Sequence, residues 1–144
     1  MKRFQMTAAV FLLLVEDNKV LLSKRKNTGY MDEYYSLVAG HLDGGETVKE
    51  GMIREANEEI NILIKEEDLD VSLVMHRFSD DERIDFFLTT KKYDNTIINN
   101  EPDKCNRLDW FDLVKLPENL VPNVRKAIAN YLNGVAFDEF DVRD

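Results

Sequence analysis

Apolar positions along the chain form short runs of β-forming residues, interrupted by two stretches in which apolar residues recur at helical spacing. The first two runs flank the turn residues Glu16-Asp17-Asn18, and a later pair flanks an acidic turn at 79–82, so two hairpins are expected. The predicted strands cover residues 5–15, 19–23, 35–39, 70–78, 83–90 and 108–111, and the predicted helices cover 48–60 and 123–132.

This order of elements predicts an α/β (α+β) fold, in which a mixed central sheet has helices packed on its faces. The chain has 144 residues, of which 44% are apolar, and this is enough for one sizeable core. No repeat, low-complexity tract or linker interrupts the sequence. A single domain covering residues 1–144 is therefore expected.

The charge balance narrows the choice of partners. The chain carries 28 acidic and 19 basic side chains, a formal net charge of -9 and a sequence pI near 4.8, so a nucleic-acid duplex is not expected to bind. A small phosphate compound can still bind an acidic protein if divalent cations lie between the carboxylates and the ligand.

Cysteine content and apolar run length bear on location. The single cysteine, Cys105, cannot form an internal disulfide, which favours a reducing compartment, and the cytoplasm is expected. The apolar run at residues 8–15 ends at Glu16-Asp17 and is too short to span a bilayer, so no membrane partner is expected.

The segment 40–62, GHLDGGETVKEGMIREANEEINI, carries the chemistry. Thr47 and Glu50 have the spacing of a capping box, which predicts that a helix begins near Val48. The preceding loop contains Gly40, Gly44 and Gly45, whose backbone can approach a ligand closely. Gly40 is accordingly a candidate substrate-binding residue.

Three glutamates lie along one edge of this predicted helix, beside its apolar stripe. Glu55, Glu58 and Glu59 stand at i, i+3 and i+4, where like charges oppose each other unless a cation joins them. Oxygen ligands of this kind suit Mg²⁺. Gly51, one turn before Glu55, is expected to leave room for ligand or metal. A solvated acidic helix face is the alternative interpretation.

Six residues, Gly40, Glu46, Arg54, Glu55, Glu58 and Glu59, match the Nudix box, G-x5-E-x7-R-E-U-x-E-E-x-G-U, where U is a bulky apolar residue. The chain therefore resembles the Nudix hydrolases, and its length is similar to that of their MutT-like members. The resemblance implies an α/β/α sandwich with a mixed central sheet.

Two positions depart from the box. Asn61 replaces its final Gly, and Ala56 is smaller than the usual aliphatic residue. Asn tolerates the left-handed conformation just past a helix end, and Ala56 still lies on the predicted apolar stripe, so both changes are expected to be tolerated.

The resemblance also implies roles for individual residues. Glu55, Glu58 and Glu59 would hold Mg²⁺, with Mn²⁺ as a substitute, and the Ala39 carbonyl before the box glycine would be a further ligand. Arg54 would orient Glu55, the first candidate for general base. Glu46 would pair with Arg54 and so brace the loop against the helix.

Residues outside the box complete the candidate site. The resemblance makes Glu101 a candidate metal ligand, with an exposed turn residue before Pro102 as its alternative. It also makes Asn123 a candidate for hydrogen bonding to a base edge, and Asn123 is suited as well to be the N-cap of the last helix. Arg25, with Lys24 beside it, is a candidate phosphate donor or a solvated edge charge.

Aromatic residues and the strand at 70–78 offer further candidates. At most one of His76 and Arg77 can point into the site, because successive strand residues face opposite sides. The flat side chains against which a base can stack are Tyr30, Tyr34, Tyr35, Phe87 and Trp110.

The function implied is hydrolysis of a nucleoside triphosphate, including an oxidised one, to the monophosphate and pyrophosphate. The partner is a small nucleotide, and a homodimer is compatible with the resemblance. One alternative substrate class is ADP-ribose, a dinucleoside polyphosphate or a nucleotide sugar, although the Pro or Tyr typical of those enzymes does not stand between Asp70 and Asp80. Another alternative is a nucleotide sensor without catalysis.

Overall fold

The computed structural model describes residues 2–143 of the chain. Its strands are β1 (Thr7–Leu12), β2 (Val15–Glu16), β3 (Lys19–Arg25), β4 (Tyr35–Ser36), β5 (Val38–His41), β6 (Leu69–Phe78), β7 (Glu82–Thr90), β8 (Cys105–Asp112) and β9 (Phe137–Asp141). Its helices are α1 (Val48–Ile60), α2 (Pro122–Leu132) and a short 3₁₀ helix at Glu66–Asp68.

The larger sheet is mixed, as predicted, and has the strand order β5-β1-β7-β6-β9. Strand β1 runs parallel to β7, and β6 runs parallel to β9, while β1 with β5 and β6 with β7 are antiparallel. A smaller sheet forms around β3, which pairs in antiparallel fashion with β2, β4 and β8.

Alternating side chains of β1 place one helix on each face of the larger sheet. Ala9 and Phe11 belong to the apolar cluster that also contains residues of α2. Val10 and Leu12 belong to the cluster that contains residues of α1. Because successive strand residues face opposite sides, the two helices cover opposite faces, which confirms the α/β/α sandwich.

The first predicted hairpin is partly wrong. β1 ends at Leu12 and pairs with β5 and β7, so only the two-residue strand β2 turns back along β3. The turn itself is as expected, since Asp17 and Asn18 have positive φ values of 51° and 63°. Residues 8–15 are apolar on both faces, so their pattern does not reveal where the chain leaves one sheet for the other.

Strand β9 was not predicted. Its sequence, FDEFD, is mostly acidic, and its two phenylalanines are three residues apart and do not alternate. It lies at the edge of the sheet, where only one side needs a partner strand and charged residues are tolerated.

Candidate active site

Helix α1 begins where its capping box predicts. The Glu50 N–H donates to Thr47 Oγ1 at 3.1 Å, and the Thr47 N–H donates to Glu50 Oε1 at 2.9 Å. Met52, Ala56 and Ile60 are buried against the sheet, as the apolar stripe predicts. This packing fixes the rotation of the helix and directs Glu55 and Glu59, one turn apart, towards β5.

Glu55 and Glu59 form a close carboxyl pair. The two groups lie within hydrogen-bonding distance, and burial followed by the proximity of Glu55 raises the pKa of Glu59 well above its ordinary value. Glu59 Oε2 is buried and has no hydrogen-bond partner within residues 2–143. An unpaired buried carboxylate oxygen is costly, and a cation bound there would remove the cost.

Arg54 connects the loop before α1 to this pair. Its Nη2 lies 2.7 Å from Glu46 Oε1, its Nε lies 3.0 Å from Glu46 Oε2, and its Nη1 lies 2.8 Å from Glu55 Oε1. Both contacts predicted for Arg54 are therefore present. The hydrogen bonds from Arg54 lower the pKa of Glu46 to about 2.

The remaining two predicted carboxylates lie in different surroundings. Glu58 is 54% exposed and its Oε2 lies 3.4 Å from Arg54 Nη1, so the structure does not bring it into the Glu55–Glu59 pair. Glu101 does lie near the pair, since the N–H of its neighbour Asn100 donates to the Glu59 carbonyl at 3.0 Å, and burial and then the charge of Glu55 raise the pKa of Glu101. Across the described range, 2–143, no three ligating side chains already meet around one point.

Two glycines of the segment leave room for protein atoms. A Cβ at Gly40 would overlap the Glu55 carboxyl group, so only glycine lets that carboxyl lie against β5. A Cβ at Gly51 would overlap Leu42 and crowd Glu46. The expectation that Gly51 leaves space for ligand or metal is therefore wrong, because the side chains of Leu42 and Glu46 fill that space.

A cleft of about 720 Å³ opens beside β5, where Ala39 and Gly40 form part of its wall. The Ala39 backbone N–H also lies against the Glu59 carboxyl and favours its charged form, so the cleft adjoins the carboxyl pair. The cleft wall includes the basic side chains of Arg25, Arg77, Arg83 and Lys104 and the acidic side chains of Asp80 and Asp81. Arg77 and Arg83 already form ion pairs with Asp85 and Asp81, so Arg25 and Lys104 are the cations best placed to meet an anionic ligand. Such a cavity is suited to an anionic ligand.

A family model described as "NUDIX domain" matches residues 3–131, which is most of the chain. The chain belongs to the NUDIX family. Members of this family act on small nucleotide compounds and typically use divalent metal ions.

Solved structures share the fold of this Nudix protein. A MutT NUDIX hydrolase from Burkholderia pseudomallei superposes with a TM-score of 0.80 at 24% identity, covering 88% of this chain and 98% of that one. A MutT protein from Methanosarcina mazei superposes with a TM-score of 0.74 at 19% identity, covering 89% and 94%. At these identities the likeness is one of fold.

A curated relative matches over a shorter stretch. An ADP-ribose pyrophosphatase from Methanocaldococcus jannaschii is 40% identical over 57 residues, which are 40% of this chain and 33% of that protein. The chain thus matches about a third of the length of that relative.

Among residues 2–143 of the Nudix protein, none of the helices has both the length and the apolar character that spanning a membrane requires.

Asn123, at the start of the last helix of the Nudix protein, does not have one of the two roles predicted for it. Helix α2 begins at Pro122 and its N-cap is Val121, so the N-cap role is wrong for Asn123. Asn123 is instead buried in the first turn and lines the cleft. Its Nδ2 lies 3.5 Å from Oδ2 of Asp85, which is completely buried.

The two basic candidates on β3, Arg25 and Lys24, differ in their positions relative to the cleft. Arg25 lines the cleft, and its guanidinium donates to the Tyr30 carbonyl at 2.7 Å and to Thr28 Oγ1 at 3.0 Å. Burial lowers the pKa of Arg25, but an arginine stays charged. Lys24 is half-buried and instead forms an ion pair with the exposed Glu33 at 3.4 Å.

Strand β6 of the Nudix protein directs only one of its two candidates into the cleft, as strand alternation predicts. Arg77 lines the cleft and forms an ion pair with Asp85, with Nε 2.6 Å from Oδ2. His76 is not part of the cleft wall, and its Nε2 lies 2.7 Å from Glu82 Oε2.

Of the aromatic candidates, Tyr30 alone lines the cleft within the described residues, and it is 42% exposed. Phe87 is fully buried and stacks on Phe11 at 4.6 Å, and Phe11 reaches the cleft. Tyr35 is buried and donates to Asp109 at 2.7 Å, while Trp110 lies on a separate open groove. Tyr34 is exposed and is not part of the cleft wall.

Sequence reasoning missed Asp85 and several residues of the cleft wall. A signal for Asp85 was present, because an acidic residue inside the apolar run IDFFL contradicts a simple core strand. The other unpredicted polar wall residues carry no such signal, because loops and strand ends are ordinarily polar; they are Thr28, Ser36, His41, Ser79, Asp80, Asp81, Arg83 and Lys104.

Proposed function

We propose that the protein hydrolyses the diphosphate linkage of a nucleoside triphosphate, including an oxidised one, to the monophosphate and pyrophosphate, with Mg²⁺ as cofactor. The main support is the half-buried Glu55–Glu59 pair, whose buried Glu59 Oε2 has no hydrogen-bond partner within residues 2–143, at the edge of a cleft lined by Arg25 and Lys104. The two carboxyl groups provide anionic ligands for a metal ion, and the adjoining cavity provides space for an anionic substrate.

The donor set fits a hard divalent cation. Glu55 and Glu59 would hold it, with Glu58, Glu101 and the Ala39 carbonyl as further candidate ligands, and all of these are oxygen donors of the kind that Mg²⁺ takes. Mn²⁺ is the expected substitute. When bound, such an ion supplies positive charge that polarises the phosphorus centre and makes a nearby water more acidic.

The residues of the chain have separate parts in the reaction. Glu55 accepts a proton of the attacking water as its oxygen bonds to phosphorus, and the bridging P–O bond breaks so that the nucleoside monophosphate and pyrophosphate separate. Arg54 orients Glu55, and Glu46 holds Arg54 in place through its two hydrogen bonds. Arg25 binds phosphate oxygens, Gly40 allows close approach at the cleft wall, and Asn123 contacts the base.

The test is a hydrolysis screen over nucleoside triphosphates in Mg²⁺, with products identified by mass. Glu59→Gln should lower kcat by at least about 100-fold, since even residues that only support metal ligands cost 10- to 100-fold when changed. The matched control is Glu67→Gln, which alters an exposed carboxylate in the 3₁₀ helix and should behave as wild type. Full activity of Glu59→Gln would contradict the assigned metal role.

A second candidate substrate is ADP-ribose, supported by the partial match to the archaeal ADP-ribose pyrophosphatase. It contains the same diphosphate linkage, so the same screen includes it together with a dinucleoside polyphosphate and a nucleotide sugar. Faster hydrolysis of ADP-ribose than of any triphosphate would favour this candidate. Binding of nucleotides without turnover would favour a non-catalytic sensor.

A further inference from the structure

A buried ion pair lies between the cleft and the last helix. Asp85 on β7 accepts from Arg77 on the neighbouring strand β6, with Nε 2.6 Å from Oδ2 and Nη2 3.4 Å from Oδ1. Asp85 is 0% exposed and Arg77 is 5% exposed. Burial raises the pKa of Asp85, but the two hydrogen bonds from the guanidinium oppose this and favour the charged carboxylate.

This carboxylate determines how the Asn123 amide is oriented. Asn123 Nδ2 lies 3.5 Å from Asp85 Oδ2, at the outer limit of a hydrogen bond. An ionised carboxylate only accepts hydrogen bonds, so the amide nitrogen must face it. In the opposite orientation the amide oxygen would lie against a negative charge inside the protein, where the repulsion is poorly screened.

The amide oxygen is therefore left for the cleft. Within residues 2–143, no protein group donates to Asn123 Oδ1, and this atom is not among the fully buried polar atoms that lack a partner. It thus has some access to open space, and the open space that Asn123 lines is the cleft. A hydrogen-bond acceptor, rather than a donor, is presented to whatever binds there.

We propose that Asp85 is a positioning residue that holds the Asn123 amide with its oxygen towards the cleft, so that the enzyme prefers bases presenting an amino donor at this point. This inference rests on the proposed nucleotide hydrolysis and specifies its substrate class. Arg77 contributes by keeping Asp85 in place as an acceptor.

The loss of one hydrogen bond to Asn123 should give a measurable difference in kcat/KM. A bound ligand that lacks the donor excludes solvent from the Asn123 oxygen and offers no hydrogen bond in exchange, which is costly for a polar group. Sites that hydrogen-bond a polar substrate group discriminate strongly against analogues from which the group is missing. A selectivity of about 10-fold or more in kcat/KM is expected for one such bond.

The first experiment uses the wild-type enzyme and pairs of triphosphates that differ by one amino group. The pairs are ATP and purine riboside triphosphate, GTP and inosine triphosphate, and CTP and the triphosphate of pyrimidin-2-one riboside. In at least one pair, kcat/KM for the amino compound should be about 10-fold or more higher. Ratios within about twofold of one in all three pairs would overturn the inference.

The second experiment tests Asp85 itself. In Asp85→Asn the neighbouring group can donate as well as accept, so the Asn123 amide is free to turn and the selectivity ratio should fall towards one. The matched control is Asp138→Asn, because Asp138 accepts from Asn130 of the same helix at 2.8 Å and does not line the cleft. The control should keep the wild-type ratio.

A purely structural role for Asp85 has a different signature. It would lower kcat/KM for both members of a pair alike and leave their ratio at the wild-type value, which would overturn the positioning role. If Asp85→Asn does not fold, Asn123→Leu takes its place: loss of the ratio supports the inference, and an unchanged ratio overturns it.

The two proposals fail in distinguishable ways. Hydrolysis of both members of every pair at equal rates would overturn the amino-group preference and leave the proposed nucleotide hydrolysis intact. No hydrolysis of any triphosphate would overturn the proposed function and the preference with it.

Discussion

Gly40 lies so close to the Glu55 carboxyl that any side chain would displace it. Gly40→Ala should therefore lower kcat by at least about 10-fold, because catalytic groups must be held within a fraction of an ångström of their working position. The measurement is steady-state hydrolysis of the best triphosphate from the screen.

Gly44→Ala is the matched control for this prediction. Gly44 belongs to the same loop, does not have a positive φ, and has nothing within 4 Å of an added Cβ. Its kcat should stay within about twofold of wild type. A Gly40→Ala enzyme as active as Gly44→Ala would show that Glu55 need not lie against β5.

The Glu46–Arg54 pair predicts a defined dependence of stability on pH. Hydrogen bonds from Arg54 lower the pKa of Glu46 from an ordinary 4.5 to about 2, so folding favours the ionised form. The resulting stabilisation is fully present above the unfolded-state pKa, near 4.5, and is lost as the pH falls towards 2.

Glu46→Gln isolates this contribution. Urea denaturation of wild type and Glu46→Gln, in EDTA, should show a stability difference that is constant above about pH 5 and shrinks steadily towards pH 2. A difference that does not change over this range would mean that the Arg54 contact does not depend on the charge of Glu46.

The roles of the box residues were predictable from the resemblance to the family motif, and helical spacing accounts for the proximity of two of its carboxylates. Glu55 and Glu59 are one turn apart, so one helix suffices to bring them together. The Arg77–Asp85–Asn123 arrangement joins two strands and a helix, and its geometry depends on strand register that local patterns do not contain. Glu58 shows a further limit, since helical spacing allows it to approach either Glu55 or Arg54, and its carboxyl lies 3.4 Å from Arg54 Nη1.

At the level of elements, the end of α1 carries the substitution that departs from the family pattern. Asn61 adopts φ 71°, the left-handed conformation in which the box has glycine, and its Nδ2 donates to the Thr96 carbonyl at 3.1 Å. Asn61→Ala should destabilise the protein by about 1–2 kcal/mol, because alanine pays the steric cost of this conformation.

Asn61→Gly provides the comparison. Glycine adopts the left-handed conformation without strain, so the variant should lose less stability than Asn61→Ala in urea denaturation. Equal losses would indicate that the side-chain bond to Thr96, rather than the backbone conformation, holds this helix end.

Element boundaries were predictable where local signals exist and not elsewhere. The capping box placed the start of α1 at Val48, and the acidic turn placed the β6–β7 hairpin. The break between β1 and β2 and the existence of β9 depend on which sheet each segment joins. That choice is made by tertiary packing, which no short-range pattern encodes.

For the whole molecule, the net charge of -9 makes folding stability sensitive to added cations. Monovalent salt screens the general repulsion, whereas a divalent ion bound at Glu55 and Glu59 also removes the cost of burying an unpaired carboxylate. These two effects of cations are separable.

The single-domain organisation, the homodimer and the cytoplasmic location remain predictions.

Thermal unfolding in MgCl2 and in NaCl of equal ionic strength separates the two effects of cations. Mg²⁺ at 100 times its Kd should stabilise the fold by about 2.7 kcal/mol, which corresponds to a Tm increase of roughly 5–10 °C for a domain of this size. Glu59→Gln should respond to MgCl2 no more than to NaCl. If wild type gains the same Tm in both salts, or if Glu59→Gln retains the full response, the ion does not bind between these carboxylates, and the buried Glu59 oxygen must be neutralised by its own proton instead.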